Sequence, residues 1–600
     1  MSKQKEEKIK YMKNNIYAVK LLWSFSRSRV IHIAIKQLTG YFEWLFYQIF
    51  FLKYIVNSLE KGYEFDGVFK LMQIFFGIFT LMALYNSYTR GVVTPKTDII
   101  VDSKLYRILY EKAANVELKC YEDSEFYSKY TMAIDGASRR IIEAVDLFFK
   151  LICGIIAAGV AFAVIIDIDA YVGFFVVFPI IGNFVFGRLM NKIYYGRYVD
   201  NIKNERKRQY ISRIMYLSEY AKEIRYSNIH DLLIHKYDES VEKTKKEMDR
   251  YGNRGAAYIG LKNIFSFPLV FEGVMLYAAY SVLVRRTMGL AELAIIFSTM
   301  STTSWILIGL FNTITESLKT GLQVEYMRNF IEYKEEIPEN QDGVIPDKKI
   351  SSIEFRNVYF EYQQGFPLIQ NLSLKIDNNV CVALVGHNGA GKSTLIKLLL
   401  RLYDPTKGEI LVNGVNIKKY NLKKYRELFS AALQDYKVMA MSVRDNLSMG
   451  RSVEDDILEA SLEKVGMASR VNEMPKGLDA QLTKEFTSDG VILSGGEVQK
   501  IIVAREFTKQ ASIQIFDEPS SALDPIAEYE LYTSIMQERR KSIMFFISHR
   551  LSSVKEADCI FMLENGKILE CGAHHELMEL NGKYSDMYKK QANSYLAIDN

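Results

Sequence analysis

Cysteine, proline and tryptophan are scarce in this sequence, and neither sign of charge dominates it. Its 600 residues include 5 cysteines, 10 prolines and 3 tryptophans, and 76 lysines and arginines stand against 71 aspartates and glutamates. The odd number of scattered cysteines argues against a disulfide framework and is typical of free thiols in a reducing compartment. A net charge of +5 gives no reason to expect a nucleic-acid partner, and a hydrophobic content of 49% excludes a disordered chain.

A glycine-rich stretch at residues 386–394 is the strongest signal in the sequence. It fits G-x-x-x-x-G-K-[ST] at every fixed position, between the apolar run 380–385 and a helix-like run 395–402. Glycines in such a loop let backbone N–H groups surround a phosphate chain, while a lysine charge and a hydroxyl serve the terminal phosphates and Mg²⁺. The sequence therefore predicts a nucleotide phosphate site with Mg²⁺. Its phosphate-binding residues are Gly386, Asn388, Gly389, Gly391, Lys392, Ser393 and Thr394.

A second element of the phosphate site follows about 120 residues later in the chain. The apolar run 513–516 ends in Asp517 and Glu518. A strand end beside a phosphate loop is where a Mg²⁺-holding carboxylate and a water-activating carboxylate are expected. We predict that Asp517 belongs to the metal shell and that Glu518 is the general base.

Apolar segments long enough to cross a bilayer alternate with charged ones up to about residue 325. Each could span about 30 Å of hydrocarbon at about 1.5 Å per residue. The six candidates lie at residues 30–56, 67–88, 143–166, 171–190, 262–284 and 291–314. The alternative, a buried helical core, would hold more apolar surface than a soluble domain of this length can cover. Lys36, Glu43 and Glu272 fall inside these segments, so they are expected to face a polar cavity or, if the segment ends are shifted, an interface.

Loop charge predicts the orientation of these segments. Residues 167–169 carry no lysine or arginine, whereas residues 191–255 are dense in both. The positive-inside rule then places both termini and the loops 90–142 and 191–260 in the cytoplasm. These loops read as helical extensions, and about 25 residues of helix would reach roughly 35 Å past the bilayer. Their turns, near residues 122–124 and 226–228, are candidate contacts with a soluble domain.

The chain changes character after the membrane segments. A polar linker at residues 333–349 contains Pro338 and Pro346, and short β-branched strands then alternate with helix-like segments. The sequence predicts an all-α transmembrane domain at residues 1–332 and an α/β nucleotide-binding domain at residues 350–592.

A third element gives the sequence its family resemblance. Leu493-Ser494-Gly495-Gly496-Glu497 lies about twenty residues before the paired carboxylates. With the other motifs in this order, nearly the whole chain resembles a half-size exporter of the ATP-binding cassette (ABC) family, although LSGGE departs from the commoner LSGGQ by one residue. The resemblance implies a six-helix transmembrane domain with long intracellular extensions, fused to a P-loop domain that has a helical subdomain.

The resemblance also implies further site residues. Tyr362 matches the aromatic residue that stacks on adenine, and Gln434 matches a glutamine that contacts Mg²⁺. His549 matches the histidine that contacts the γ-phosphate, and Asp524 lies in the loop that crosses the dimer interface. Ser494, Gly495 and Gly496 would face the γ-phosphate held by another subunit. Glu518, His549 and Gln434 are thus the expected catalytic group, and Ser393, Gln434 and Asp517 the expected metal group.

The expected assembly and cargo follow from the same resemblance. ATP would be held between two cassettes, and the membrane helices would convert their closure into alternating access. Because Glu518 and His549 are both present, each site could hydrolyse ATP, so a homodimer is favoured and a heterodimer is the alternative. The resemblance also implies a bacterial cytoplasmic membrane as the location. Residues 493–531 resemble exporters of lanthipeptides and related peptides, so we expect a peptide or peptide-derived cargo. Lipid or multidrug export is the second interpretation, and a non-transporting ATPase is the third.

Overall fold

The structure is a computed structural model, and it describes residues 11–62, 64–363, 365–434, 437–520, 522–538, 542–548 and 550–596. The chain forms two compact units. The first comprises the residues up to Ala114 and Ser124–Tyr333, and the second comprises Asn115–Asp123 and the residues from Lys334 onward. The short segment Asn115–Asp123, which the sequence analysis assigned to the first domain, therefore belongs to the compact second unit.

The described residues from Tyr11 to Ile331 are mainly helical, with short π-helical and 3₁₀ turns between some of the helices. Helix α2 begins after Ser26, whose hydroxyl accepts a hydrogen bond from Arg29 N, and α3 ends at Gly62, which has a φ of +67°. The helices are α1 (Tyr11–Phe25), α2 (Arg27–Leu45), α3 (Leu52–Lys61), α4 (Phe65–Tyr88), α5 (Thr94–Asn115), α6 (Leu118–Glu122), α7 (Ser124–Ile134), α8 (Ala137–Ile168), α9 (Ala170–Phe175), α10 (Val177–Tyr216), α11 (Ala221–Tyr226), α12 (Ile229–Ser266), α13 (Pro268–Tyr280) and α14 (Leu290–Ile331).

Five helical stretches among the described residues are long and apolar enough to cross a membrane, judged by length and composition. They are Phe65–Asn115, Ala137–Ile168, Ala170–Gly187, Ile229–Arg285 and Glu292–Ile331. These stretches contain or overlap five of the six segments predicted from the sequence. The first predicted segment, residues 30–56, is helical but is not among them, because polar and charged residues such as Lys36 and Glu43 lower its mean hydropathy. The count of six spans stays a prediction.

Two long helices, α10 with 40 residues and α12 with 38, form most of the stretch predicted to extend from the membrane. At about 1.5 Å per residue each is roughly 60 Å long, about twice the thickness of the hydrocarbon core. Polar side chains join the two helices: Arg208 donates to Thr244 Oγ1 at 2.7 Å, and Thr244 donates to Asn201 Oδ1 at 2.9 Å. Charged and amide side chains between two helices are compatible with water rather than lipid around this part of α10 and α12.

The second unit is built on two sheets. A four-stranded antiparallel sheet has the order β2-β1-β4-β5, and a six-stranded sheet has the order β10-β9-β3-β8-β7-β6. The strands are β1 (Ser352–Glu361), β2 (Pro367–Asp377), β3 (Cys381–Val385), β4 (Lys407–Val412), β5 (Val415–Asn416), β6 (Phe429–Ala432), β7 (Ile513–Asp517), β8 (Ile543–Ile547), β9 (Cys559–Glu564) and β10 (Lys567–Gly572).

Helices cover the sheets of this unit. They are α15 (Lys392–Leu399), α16 (Leu422–Glu427), α17 (Val443–Ser448), α18 (Asp455–Lys464), α19 (Ala468–Asn472), α20 (Gly495–Phe507), α21 (Pro525–Gln537), α22 (Leu551–Val554), α23 (His574–Glu579) and α24 (Lys583–Leu596). Short helices α17 to α19 lie in sequence between β6 and the start of α20, where the family resemblance implies a helical subdomain.

The central strands of the larger sheet are parallel and buried on both faces. β3 pairs with β8 and β9, and β7 pairs with β6 and β8. Because side chains alternate along a strand, Phe545 of β8 lies in one apolar core, whereas Phe546 lies in the core on the opposite face. This double burial explains why β3 and β8 are continuous apolar runs rather than alternating ones.

Removing a central side chain should destabilise the second unit strongly. Phe545 is fully buried, so we expect Phe545→Ala to lower the free energy of unfolding by about 3–5 kcal/mol through lost burial and a residual cavity. Phe366→Ala is the matched control, because Phe366 is 74% exposed, and it should change stability by less than about 1 kcal/mol. Denaturant unfolding of the two variants measures the difference. Equal losses would contradict this assignment of the core.

Candidate nucleotide site

The glycine-rich loop lies between β3 and α15, and its backbone requires glycine at defined positions. Gly386, Gly389 and Gly391 have φ values of +149°, +80° and +102°. A Cβ atom on Gly386 would lie 2.3 Å from the carbonyl oxygen of Leu563 on β9, a distance that no side chain tolerates. The loop is therefore fixed against the neighbouring strand. α15 begins at Lys392, so its first backbone N–H groups, which have no partner within the helix, are available to an anion.

A cavity of about 320 Å³ opens in front of this loop. It brings together most of the predicted phosphate-site residues with one apolar residue, Leu368, that the sequence analysis did not single out. The lining residues are Leu368, Asn388, Gly389, Gly391, Lys392, Ser393, Thr394, Gln434 and Glu518. Four separate stretches of sequence, around residues 368, 390, 434 and 518, thus meet at one site.

Lys392 is the cation of this cavity and is largely buried. Its ammonium group donates to Gly386 O at 2.8 Å and to His387 O at 3.1 Å. Burial lowers the pKa of Lys392, because water no longer solvates the charge, and the nearby Glu518 and Asp517 oppose this shift. The ammonium therefore lies inside its own loop, and its charge is complementary to a polyphosphate.

The second residue of the acidic pair at the end of β7 has an unusual backbone conformation. Glu518 has a φ of +52°, a region that non-glycine residues rarely occupy and that clusters at functional sites. Its backbone N–H donates to Ile547 O on β8 at 3.0 Å. Gln434, which follows the neighbouring strand β6, donates to Glu518 Oε2 at 3.4 Å. Adjacent parallel strands thus end with the proposed base and the proposed Mg²⁺-contacting amide side by side.

The donor set suits magnesium. Ser393 and Gln434 line the cavity, and Asp517, the residue before Glu518, is 3% exposed. Among the described residues no group of three or more His, Cys, Asp or Glu side chains could hold a metal on its own. One carboxylate with a hydroxyl and an amide oxygen matches the way Mg²⁺ binds, since this ion takes few protein ligands and completes its shell with phosphate and water.

Tyr362 lies next to the loop at the end of β1, but it does not line the cavity. Its hydroxyl is 3.2 Å from Thr394 Oγ1, and its ring packs edge-on against Phe360 and Tyr403. The side chain is 42% exposed. An exposed aromatic face at this position is compatible with base stacking, which stays a prediction.

The LSGGE stretch forms the start of α20. Ser494 caps this helix by accepting from Glu497 N at 3.3 Å, and Glu497 in turn accepts from Ser494 N at 2.8 Å. Arg470 also donates to Glu497 at 2.9 Å. Burial alone would raise the pKa of Glu497, but these hydrogen bonds outweigh it and lower the pKa, so the carboxylate is ionised at neutral pH. Glu497 therefore forms an ion pair with Arg470, which the glutamine of the commoner LSGGQ sequence could not form.

The signature residues and the phosphate loop do not form one site within a single chain. Ser494, Gly495, Gly496 and Asp524 are absent from the lining of the cavity. A Cβ atom on Gly496 would lie 3.1 Å from Leu523 Cδ2, so the signature packs on the loop before Asp524, which itself caps α21 through Ile526 N and Ala527 N. His549, predicted to be catalytic, lies outside the described residues, as does Ser521.

Gln499 is a residue of this site that the sequence analysis did not assign. Only 1% of it is exposed, and it precedes the buried apolar residues 501–504 of α20 by two positions. Its amide donates to Glu518 O at 3.0 Å and accepts from Ala522 N at 2.9 Å. One side chain thus joins the proposed base to the loop that precedes Asp524. The flanking Glu497 and Lys500 hide this glutamine in the sequence, and only its burial shows that its amide needs partners.

Comparisons with known proteins agree with this geometry. Residues 369–521 match the ABC transporter family. The chain is 28% identical over 518 residues to the subtilin transport ATP-binding protein SpaT of Bacillus subtilis, covering 83% of this chain and 81% of that protein. It is 31% identical over 332 residues to the ATP-dependent lipid A-core flippase of Escherichia coli (strain K12), a match that spans 55% of each chain.

A solved structure extends the likeness to the whole fold. The chain is similar to a bacterial Atm1-family ABC exporter with ATP bound, with a TM-score of 0.70 and 21% identity over 94% of this chain and 98% of that one. Fold and site together define an ATP-binding, multi-pass membrane protein. The family match, the likeness to SpaT and the exporter structure together support an ABC half-transporter of the exporter type, an ATPase coupled to transport. The predicted fold class and family are thereby confirmed, whereas the roles of single residues stay predictions.

The hydrogen bond from the Gln499 side chain to Glu518 O can be tested by a substitution that keeps the size of the side chain. We expect Gln499→Met to lower the rate of ATP hydrolysis about tenfold or more, because the backbone of the proposed base loses a fixed partner, while ATP affinity changes little. Turnover and nucleotide binding are measured separately on the purified protein. Gln514→Met is the control, since Gln514 is also buried but lies on β7 outside the cavity lining. Loss of ATP binding, or an equal effect at Gln514, would contradict the assignment.

Proposed function

We propose that two copies of this chain clamp ATP and Mg²⁺ between them and use the cycle of closure and hydrolysis to export a peptide or peptide-derived product. The observation that carries the proposal is the separation within one chain of a phosphate loop and a signature helix. Each cassette has the residues to hold a nucleotide, and its Ser494 and Gly496 lie outside the cavity they would complete. A second copy, related by two-fold symmetry, supplies the missing half of each site.

In this proposal each side chain of the site has one task. Lys392 and the N-terminus of α15 hold the phosphates, and Tyr362 holds the base. Ser393, Gln434 and Asp517 would hold Mg²⁺, which when bound neutralises charge on the phosphate oxygens. Glu518 orients and deprotonates the attacking water, and His549 contacts the γ-phosphate. Gln434 lies 3.4 Å from Glu518, so a change at the metal shell reaches the base directly.

The orientation proposed for the membrane half follows from its charge. Both termini and the extensions formed by α10 and α12 lie in the cytoplasm of a bacterial cell, where the cassette finds its ATP. Loop lysines and arginines, and the polar contacts between α10 and α12, support this placement. Alternating access then requires that ATP favours one arrangement of the helices over the other.

A cavity in the membrane half supports the choice of cargo. It encloses about 360 Å³ between α2, α8 and α14 and is lined by Gln37, Gly40, Tyr41, Trp44, Lys150, Trp305, Ile306 and Gly309. Within the described part of the chain Lys150 has no hydrogen bond or ion pair, whereas the nearby Lys36 pairs with Asp146 at 3.4 Å. Three aromatic rings beside an uncompensated cation suit an apolar peptide segment that carries a carboxylate. The similarity to SpaT, which is named as a subtilin transport protein, also favours a peptide cargo.

Lipid export is the second candidate. The match to lipid A-core flippases favours it, and anionic lipid could use the same lysine and rings. The two candidates differ in the ligand that stimulates hydrolysis. Vanadate-sensitive ATPase activity of the protein in lipid vesicles, measured with candidate peptides or with lipid A, separates them. Stimulation by lipid A alone would reject the peptide cargo and leave the exporter assignment standing.

Glu518→Gln tests the proposed base and the two-copy site together. We expect at least about a hundredfold loss of hydrolysis with ATP binding retained, because the amide cannot accept the proton of the water. In this background, co-expressed Ser494→Cys and Asn388→Cys chains should form an inter-chain disulfide on mild oxidation only when ATP is present. If Glu518→Gln kept full ATP turnover, the assignment of Glu518 as the base would be rejected. If the disulfide formed equally with and without ATP, the proposed ATP site between two copies would be rejected.

Lys150→Gln tests the cargo cavity. We expect basal hydrolysis to remain unchanged and the peptide concentration for half-maximal stimulation to rise about five- to tenfold, because the carboxylate loses its charged partner. An amidated form of the same peptide should show the same weakening on the unaltered protein. Lys70→Gln is the control, since Lys70 is exposed and pairs with Asp66 on its own helix. An unchanged response of Lys150→Gln would reject this cavity as the peptide site.

A further inference from the structure

The segment Asn115–Asp123 is attached to the second unit at several points. The Glu117 carboxylate accepts from Ile337 N at 2.9 Å and from Glu336 N, and Lys119 forms an ion pair with Glu336. Leu118 packs against the apolar core below the four-stranded sheet. A piece of chain that separates α5 from α7 in sequence is thus built into the nucleotide-binding unit.

Glu122, at the end of this segment, contacts two residues near the phosphate loop. Tyr403 donates its hydroxyl to Glu122 Oε2 at 2.5 Å, a charge-assisted hydrogen bond. Lys397, on the helix that follows the phosphate loop, has its ammonium 3.9 Å from Glu122 Oε1. Tyr403 is 6% exposed, and its burial, followed by its bond to Glu122, raises the pKa of its hydroxyl, so it remains a donor across the physiological pH range.

The same two residues contact Tyr362 on their other sides. The ring of Tyr403 meets the ring of Tyr362 edge-on, with centroids 5.3 Å apart. The ammonium of Lys397 lies 5.8 Å from the centroid of Tyr362, within cation–π range. The Tyr362 hydroxyl is in turn 3.2 Å from Thr394 of the loop. A continuous set of contacts therefore runs from Glu122 through Tyr403 and Lys397 to the exposed ring that would stack on a base.

We propose that Glu122 is a positioning residue for ATP binding, which acts through Tyr403 and Lys397 to hold Tyr362 ready for the adenine ring. The inference rests on the proposed role of Tyr362 and adds a residue that lies more than 200 positions earlier in the sequence but belongs to the same compact unit. One carboxylate thus contacts both neighbours of the tyrosine, through a hydrogen bond from Tyr403 on one oxygen and an ion pair with Lys397 on the other. When the segment is attached, the ring is held in place before the base arrives, and less ordering is needed on binding.

The link works in both directions. If attachment of the segment strengthens binding of the adenine ring by some factor, then the bound ring strengthens attachment of the segment by the same factor. Occupation of the base site is thereby communicated to the chain that joins α5 and α7. The route meets the phosphate loop at Thr394, but its end point is the ring of Tyr362, so we expect its effect on the base rather than on the phosphates, which Lys392 and the loop hold.

The test compares two competing ligands on the full chain in lipid nanodiscs. We expect Glu122→Ala to weaken ATP binding about five- to tenfold. Inorganic tripolyphosphate, a probe that has no base, should displace labelled nucleotide from the unaltered and variant proteins at equal concentrations after correction for ATP affinity. Tyr403→Phe should weaken ATP binding to a similar extent, and the double variant should be little worse than either single one, because both remove the same link.

Tyr420→Phe is the matched control, because Tyr420 also loses a buried hydroxyl bond, to Val412 O at 2.9 Å, but does not contact Glu122. It should leave ATP affinity unchanged. Unchanged ATP affinity in Glu122→Ala, or an equal weakening of tripolyphosphate, would overturn the proposal. Tyr362→Ala distinguishes the base-stacking role of Tyr362 from the positioning role of Glu122. If Tyr362→Ala leaves ATP affinity unchanged, the base-stacking role in the proposed function is rejected. If Tyr362→Ala lowers ATP affinity and Glu122→Ala does not, only the positioning role is rejected.

Discussion

The parallel pairing of β3, β8, β7 and β6 is the constraint on which the nucleotide site depends. Parallel strands end at a common edge, and at that edge the chain places the glycine-rich loop, the acidic pair and Gln434. These groups come from stretches of sequence more than a hundred residues apart at the extremes, so only the sheet can hold them together. Its two apolar cores, one on each face, fix the strand order and leave the edge free for polar chemistry.

The loop adds a second constraint at its first glycine. Gly386 lies so close to Leu563 O that the loop cannot move away from β9 without breaking this packing. Rigidity here is useful, because a polyphosphate gains most from N–H groups that are already oriented. Glu518, held at positive φ by Ile547 and Gln499, meets the same need on the opposite side of the cavity.

Sequence patterns predicted the parts of this molecule that rest on backbone requirements. The phosphate loop needs glycines at fixed positions, and the buried strands need continuous apolar runs, so both leave a direct trace. Gln499 and Tyr403 left little trace, because their importance comes from partners that are distant in the chain: residue 518 for one and residue 122 for the other. The sequence did predict a contact with the soluble domain near residues 122–124, but not that the whole segment Asn115–Asp123 is attached to the second unit, since that attachment depends on three-dimensional contacts with residues 336 and 337.

Helix α20 has different neighbours at its start and along its middle. Its first residues present the signature outward, and its middle carries the amide that grips the backbone of Glu518 in the same chain. If two cassettes pair as proposed, a small tilt of this helix on meeting the neighbouring cassette would be transmitted to the proposed base of its own chain. Hydrolysis at the two sites of such a pair would then be coupled rather than independent.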